Sequence, residues 1–142
     1  MKRKKPIGAQ YPFYVKRIRG KGWGAFCAKK IPYNADFNVT PLLVLTAREV
    51  KLMAGSTLEI YWYEFGKKRC ALGLGLGSIM NHSSTPNCSF HFSKAKRTLT
   101  FFALKTIPAH TELTHDYGWT QENYEDQKIK VPPPEKKTRK RK

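Results

Sequence analysis

The apolar run Leu72 to Met80 opens directly into Asn81-His82-Ser83-Ser84-Thr85-Pro86-Asn87, and no other feature so narrows what this chain can fold into. A buried segment followed at once by amide, imidazole and hydroxyl groups is neither ordinary core nor ordinary loop, because those groups need partners where they emerge. Side chains and backbone in such a place are set to serve a polar ligand. A second segment, Glu112-Leu113-Thr114-His115-Asp116-Tyr117-Gly118, ends an apolar-patterned stretch with an acid, a phenol and a glycine. A third, Gly22-Trp23-Gly24, lies near the start, where glycine lets main chain approach a bound molecule.

The rest of the pattern predicts a mainly β chain of short strands. Phe13 to Ile18 alternates loosely, Gly20 to Gly24 reads as a tight turn, and Ala25 to Ile31 continues as strand. Val39 to Leu45 is a second apolar run, which Pro41 is expected to break early. Ala47 to Met53 has room for one or two helical turns, and little reads as a long helix. The clearest hairpin joins Cys88–Phe92 to Thr98–Leu104 across the polar Ser93–Arg97. Its period of two assigns Phe90 and Phe92 to one face, and Leu99 and Phe101 to another. An internal echo also stands out: Lys30-Ile31-Pro32-Tyr33-Asn34-Ala35-Asp36-Phe37 parallels Thr106-Ile107-Pro108-Ala109-His110-Thr111-Glu112-Leu113.

Taken together, Gly22-Trp23-Gly24, the Asn81–Asn87 segment and the Glu112–Gly118 segment resemble, in order and rough spacing, the signature set of SET-domain protein-lysine methyltransferases. The resemblance covers about residues 13 to 124. It implies the SET (β-clip) fold: short strands in small sheets, few short helices, and a last motif threaded under the Asn-His segment in a knot-like arrangement. The run Gly73, Gly75, Gly77 suits such a close crossing and is not a phosphate loop, since no Gly-Lys-Ser/Thr follows. Many members carry Gly at a left-handed position matching Asn34 and His110, two residue types that tolerate positive φ. His110 is accordingly read as a turn residue rather than a catalyst.

The chemistry implied is transfer of a methyl group from S-adenosylmethionine (AdoMet) to the ε-amine of lysine. A lysine enters as an ammonium with a reference pKa near ~10.4, so the site must favour its neutral form, which a narrow aromatic channel does by desolvation. Alignment of amine, methyl and sulfur supplies much of the rest. By the resemblance Tyr117 is the catalytic tyrosine, and Tyr61 lines the channel with Tyr63 as its rival. Asn81 and His82 match the cofactor dipeptide, Asn81 through its amide and His82 mainly through its backbone. Gly22, Trp23 and Gly24 bring backbone groups to the cofactor, and Trp119 and Tyr124 close the channel, stack on adenine or simply pack. Asn87 and Asp116 read as structural members of their motifs. His115 stands two before the tyrosine, where many members use Phe or Tyr to set the degree of methylation, and it opens the way to a pH dependence.

No cysteine-rich segment follows Tyr117, so the chain resembles the small, minimal members of viral or bacterial type without the zinc-bound lid, in which C-terminal residues or a second subunit complete the site. Cys27, Cys70 and Cys88 lack zinc or disulfide spacing and read as reduced thiols, with no metal expected. The net charge is +17 over 142 residues, with +4 on residues 1–5, +6 on residues 126–142 and +7 on the body between. The expected organisation is a flexible basic arm (1–10), a methyltransferase domain (11–127), and a tail (128–142) with a polyproline spacer, Pro132–Pro134, and the basic run Lys136–Lys142. That run reads as an import signal or nucleic-acid contact. No membrane span or signal peptide is evident, so an intracellular, soluble protein is expected, nuclear and chromatin-associated in a eukaryotic cell and cytoplasmic or nucleoid-associated otherwise, acting on a histone-like tail, with homodimerisation open. The rival reading is a non-catalytic basic DNA- or chromatin-binding module. A Cys88–His82 hydrolase lacks any supporting motif.

Overall fold

The computed structural model describes residues 7–66 and 69–118. Ten strands and one α-helix follow in chain order: β1 (Gly8–Ala9), β2 (Phe13–Ile18), β3 (Gly22–Cys27), β4 (Asp36–Leu45), α1 (Ala47–Met53), β5 (Trp62–Glu64), β6 (Cys70–Gly73), β7 (Asn81–His82), β8 (Cys88–Ser93), β9 (Thr98–Ala103) and β10 (Thr114–His115). Two 3-10 turns, Thr57–Tyr61 and Leu76–Ser78, lead into β5 and β7. The largest sheet runs β5-β6-β4-β9-β8 with β1 added on β4, while β2–β3 forms a separate hairpin and β7–β10 a parallel pair. β1 lies inside the stretch expected to be a flexible arm and pairs there with Asn38 and Val39 of β4.

Pro41 does not break its strand. β4 passes through it, pairing along Asp36–Pro41 with β9 and along Leu42–Leu45 with β6. A proline is tolerated because the exchange of partners falls beside it, and its carbonyl still accepts from Leu74 N–H. The glycine motif also differs from expectation: the turn is confined to residues 19–21, and Gly22 already begins β3, which ends at Cys27. In the β8–β9 hairpin Phe90 faces Phe101 and Phe92 faces Leu99, so all four side chains share one face of the sheet. Directly paired residues point the same way, and that corrects the expected split between two faces.

The core lies on that face. Phe37, Leu99, Phe101, Ala103 and Met80 are essentially inaccessible, and a bulge between Asp36 and Asn38 turns Phe37 into it. α1 is opened by a capping box in which Thr46 and Glu49 satisfy each other's backbone. Gly77 crosses so close to β4 that an added Cβ would sit 2.9 Å from Thr40 Oγ1 and 3.1 Å from the Phe101 ring.

The internal echo is a pair of interlocked arches. Ile31 and Ile107 exchange both backbone hydrogen bonds at 2.9 and 2.8 Å. Asn34 N–H donates to Ala103 O, and His110 N–H donates to Cys27 O, four residues before each isoleucine. Both turn residues adopt φ 61°, as expected for the left-handed position, and His110 serves as a turn residue whose Nδ1 lies 3.1 Å from the Tyr14 hydroxyl.

Candidate active site

The segment 112–118 is held from two sides. β10 lies parallel to β7, with Thr114 opposite Asn81 and His115 opposite His82. The Asn87 side chain clamps the same segment, donating to Glu112 O at 2.7 Å and accepting from Thr114 N–H at 2.9 Å. At 7% exposure Asn87 is a buried brace, the structural part the sequence assigns it. This clamp carries Tyr117 and His115 to the wall of a cavity of about 460 Å³.

Tyr61, Tyr63, His115 and Tyr117 all line that cavity, with Trp62, Phe90 and Phe92 completing an aromatic surround. Tyr61 ends a 3-10 turn and remains 44% exposed, whereas Tyr63, in β5, is drawn inward. Tyr63 meets Phe90 edge-on at 5.4 Å and stacks on His115 at 6.0 Å. Its hydroxyl donates to Gly77 O, and the Tyr117 hydroxyl donates to Met80 O at 2.8 Å. Burial, with neighbouring Tyr117 adding to it, pushes the Tyr63 pKa up, so the phenol stays protonated. A phenol that donates to a carbonyl keeps its oxygen lone pairs as acceptors. The charged lining residues, Glu64 and Asp116, are both acids, which suits a cationic guest.

His115 is 2% exposed, ringed by Tyr63, Phe90, Phe101 and Tyr117. Burial dominates and holds its pKa at about 4, against the raising pull of the Asp116 carbonyl and carboxylate, with His82 lowering it further. The imidazole is therefore neutral near pH 7, and the pH dependence considered from sequence moves into the acid range.

Asn81, His82 and the glycine motif gather beside this cavity rather than in its lining. Tyr117 N–H donates to His82 Nδ1 at 3.1 Å, and the two rings lie 5.4 Å apart. Because Nδ1 accepts that bond it carries no proton, so the Asp116 oxygen 3.6 Å away makes no ion pair with it. Burial lowers the His82 pKa in the same sense. Asp116 instead accepts from Gly118 N–H at 2.7 Å, where Gly118 takes φ 69°.

The Asn81 amide donates to Trp23 O and to Glu112 Oε1, each at 3.0 Å. With both donations made, the Asn81 carbonyl oxygen accepts no hydrogen bond among the described residues. Glu112 also accepts from Lys21 Nζ at 3.4 Å, tying the hairpin turn to the same cluster. Gly24 is required there, since a Cβ would meet Glu112 Oε1 at 3.2 Å and press on the Ile18 side chain. Trp23 leaves its ring 54% exposed under the Arg17 guanidinium.

Sequence reasoning missed Glu112, the carbonyls of Gly77 and Met80, and the walls Phe90 and Phe92. Glu112 opens a motif already singled out, and the Phe90–Phe92 alternation reads equally as core. Trp119 and Tyr124 lie outside the described residues. No group of three or more His, Cys, Asp or Glu gathers for a metal among the described residues, and Cys27, Cys70 and Cys88 are unpaired thiols.

The SET domain family matches residues 22–118 of this sequence, a span holding all three motifs and both walls of the cavity. The chain belongs to the SET-domain family. The chain is 28% identical over 108 residues to a Schizosaccharomyces pombe histone-lysine N-methyltransferase specific for H3 lysine-37, covering 75% of this chain and 74% of that protein. A Candida albicans histone-lysine N-methyltransferase specific for H3 lysine-4 is 31% identical over 58 residues, which is 39% of this chain but 6% of that protein. Among solved structures, a candidate histone methyltransferase from Plasmodium falciparum superposes with a TM-score of 0.64 at 26% identity, covering 80% of this chain and 98% of the other. Arabidopsis thaliana SUVH6 in complex with SAM gives a TM-score of 0.66 at 21% identity, covering 82% of this chain and 30% of that one, a likeness of fold. With SET membership and methyltransferase relatives, the activity is protein-lysine methyl transfer.

Proposed function

We propose that the protein uses AdoMet to methylate a lysine of histone H3 or a similar basic chromatin protein. The observation that carries this reading is the aromatic cavity whose charged lining is acidic and whose wall bears the Tyr117 hydroxyl. A lysine stem suits aromatic walls, and Glu64 and Asp116 favour its approach as a cation. Inside, desolvation among Tyr63, Phe90 and Phe92 favours the neutral amine, and the acceptor oxygens of Tyr117 and Tyr63 align it. Tyr61, half-exposed, is the channel's outer aromatic. His115 sets the depth of the channel and with it the number of methyl groups accepted.

The donor set beside the cavity fits AdoMet. The Asn81 carbonyl oxygen is an open acceptor for an ammonium, and the Gly22-Trp23-Gly24 backbone lies next to it. His82 stands between these and Tyr117, its backbone suited to the adenine. When bound, AdoMet supplies the activated methyl group. Tyr117 and the Met80 carbonyl hold the acceptor amine in line, and the cavity keeps water away from it. The relatives' names, both for histone H3 lysines, support the substrate class, and a chromatin setting follows, with the basic tails helping to reach it. Trp119 is assigned to the cofactor side, and a homodimer remains part of the proposal. No helix among the described residues is long and apolar enough to cross a membrane.

The test is transfer of labelled methyl from AdoMet to core histones by wild type and Tyr117→Phe, with AdoMet binding followed by calorimetry. Label on one histone, lost in Tyr117→Phe while AdoMet binding persists, is expected. Absence of both binding and label in the wild type sinks the reading.

A further inference from the structure

The first carboxylate in the chain is Asp36, and ten Lys and Arg precede it. Six of those cations lie in the described structure, at Lys16, Arg17, Arg19, Lys21, Lys29 and Lys30, and all six are exposed. They sit on β2, on the turn between β2 and β3, and just beyond the end of β3. Of the six, Lys21 alone has a carboxylate partner among the described residues, Glu112. Lys16 and Arg17 are held over aromatic rings, at 4.3 Å from the Phe26 centroid and 5.1 Å from that of Trp23, which orders them without neutralising them. Arg19, Lys29 and Lys30 have no partner among the described residues. The two ends of the molecule's chemistry thus differ in sign: acids line the cavity, and cations clothe the hairpin.

We infer that the β2–β3 hairpin, through the cations outside its Gly22-Trp23-Gly24 segment, is a docking surface for the phosphate backbone of duplex nucleic acid, apart from the lining of the cavity. A two-stranded ribbon has the width that a major groove admits, and cations along its strand and at its tip meet phosphates on either side. The tip itself is Arg19-Gly20-Lys21. A charged tip suits phosphate and opposes entry into a lipid core, which favours nucleic acid over an acidic membrane. Recognition is by charge and carries no base sequence, because no amide or guanidinium pair is fixed for base edges. A site that binds duplex while acids line the cavity would present basic protein tails that are themselves bound to DNA.

The experiment measures binding of the full chain, without cofactor, to a mixed-sequence duplex by fluorescence anisotropy across a salt series. The variant R19Q/K29Q/K30Q removes three exposed cations of the surface; R48Q/K51Q/K94Q removes three exposed cations elsewhere and matches its net charge. Thermal midpoints of all forms establish folding, and the single R19E serves if the triple variant melts early. The hairpin variant is expected to bind roughly ten to a hundredfold more weakly near physiological salt, with a salt slope shallower by about 0.9 per lost contact, while the control stays near wild type. Equal loss in the two variants would mean that net charge alone drives binding and would overturn the proposal. So would absence of duplex binding by wild type, or loss of binding to anionic phosphatidylserine vesicles with duplex binding intact.

Discussion

Replacing Asn87 by alanine should unseat the strand that carries the site. The side chain is 7% exposed and makes three hydrogen bonds: to Glu112 O at 2.7 Å, from Thr114 N–H at 2.9 Å and from Cys88 Sγ at 3.0 Å. Alanine leaves a buried carbonyl and a buried amide without these partners, and each such group costs roughly 1–3 kcal/mol. The sum, about 2–6 kcal/mol, is a large share of the roughly 5–15 kcal/mol by which domains are usually stable. For a chain of this size about 4 °C is lost per kcal/mol, so the melting midpoint should fall by roughly 8–24 °C. Circular dichroism melts and urea titrations measure it, with an unchanged m-value marking a pure stability effect. Ser83→Ala, in the same polar segment, removes only exposed contacts to Thr85 and should shift stability by about 0.5 kcal/mol or less. If Asn87→Ala is as mild as Ser83→Ala, the clamp is not what seats residues 112–118.

Glu112→Ala should raise the Michaelis constant for AdoMet several-fold with little change in melting point, since it frees the Asn81 amide to turn; unchanged cofactor kinetics would refute that placement. His115 has a pKa of about 4 in the folded state against 6.5 ordinarily, so the unfolded chain binds its proton more readily. Its contribution, roughly 3 kcal/mol by linkage, is complete above pH 6.5 and lost as pH falls toward 4, and His115→Phe should flatten the stability profile in that window. Gly77→Ala places a Cβ 2.9 Å from Thr40 Oγ1 and should cost about 1–3 kcal/mol, read by denaturant titration. Tyr63→Phe strands the carbonyl of buried Gly77 and should cost about 1–3 kcal/mol, a change visible in the same titration.

The sequence carries much of this architecture where local chemistry and tertiary context agree. The β8–β9 hairpin and both left-handed turn residues are legible because an alternation and a side-chain type each fix the backbone on their own, whereas the Ala47–Met53 helix shows only as room for a turn or two, its Thr46–Glu49 capping box unread. Pro41 misleads because what permits it, the change of partner from β9 to β6, is a property of the sheet. The face shared by Phe90 and Leu99 depends on register, which alternation within each strand leaves open. Tyr61, Tyr63, His115 and Tyr117 meet around one cavity, but Glu112 was hidden because its partners, Asn81 and Lys21, stand 31 and 91 residues away.

The two arches at Ile31 and Ile107 have no independent existence. Each supplies the carbonyls that the other's turn requires, through Ala103 O for Asn34 and Cys27 O for His110, so opening one strands donors and acceptors in both. Amides of Cys27, Ile31, Asn34, Ala103, Ile107 and His110 should therefore exchange with deuterium together, at the rate of the whole domain's opening rather than that of local fraying. Leu113 N–H donates to Ala25 O just past the second arch, on the way to Tyr117. The tyrosine is thus moored to the part of the molecule that opens last.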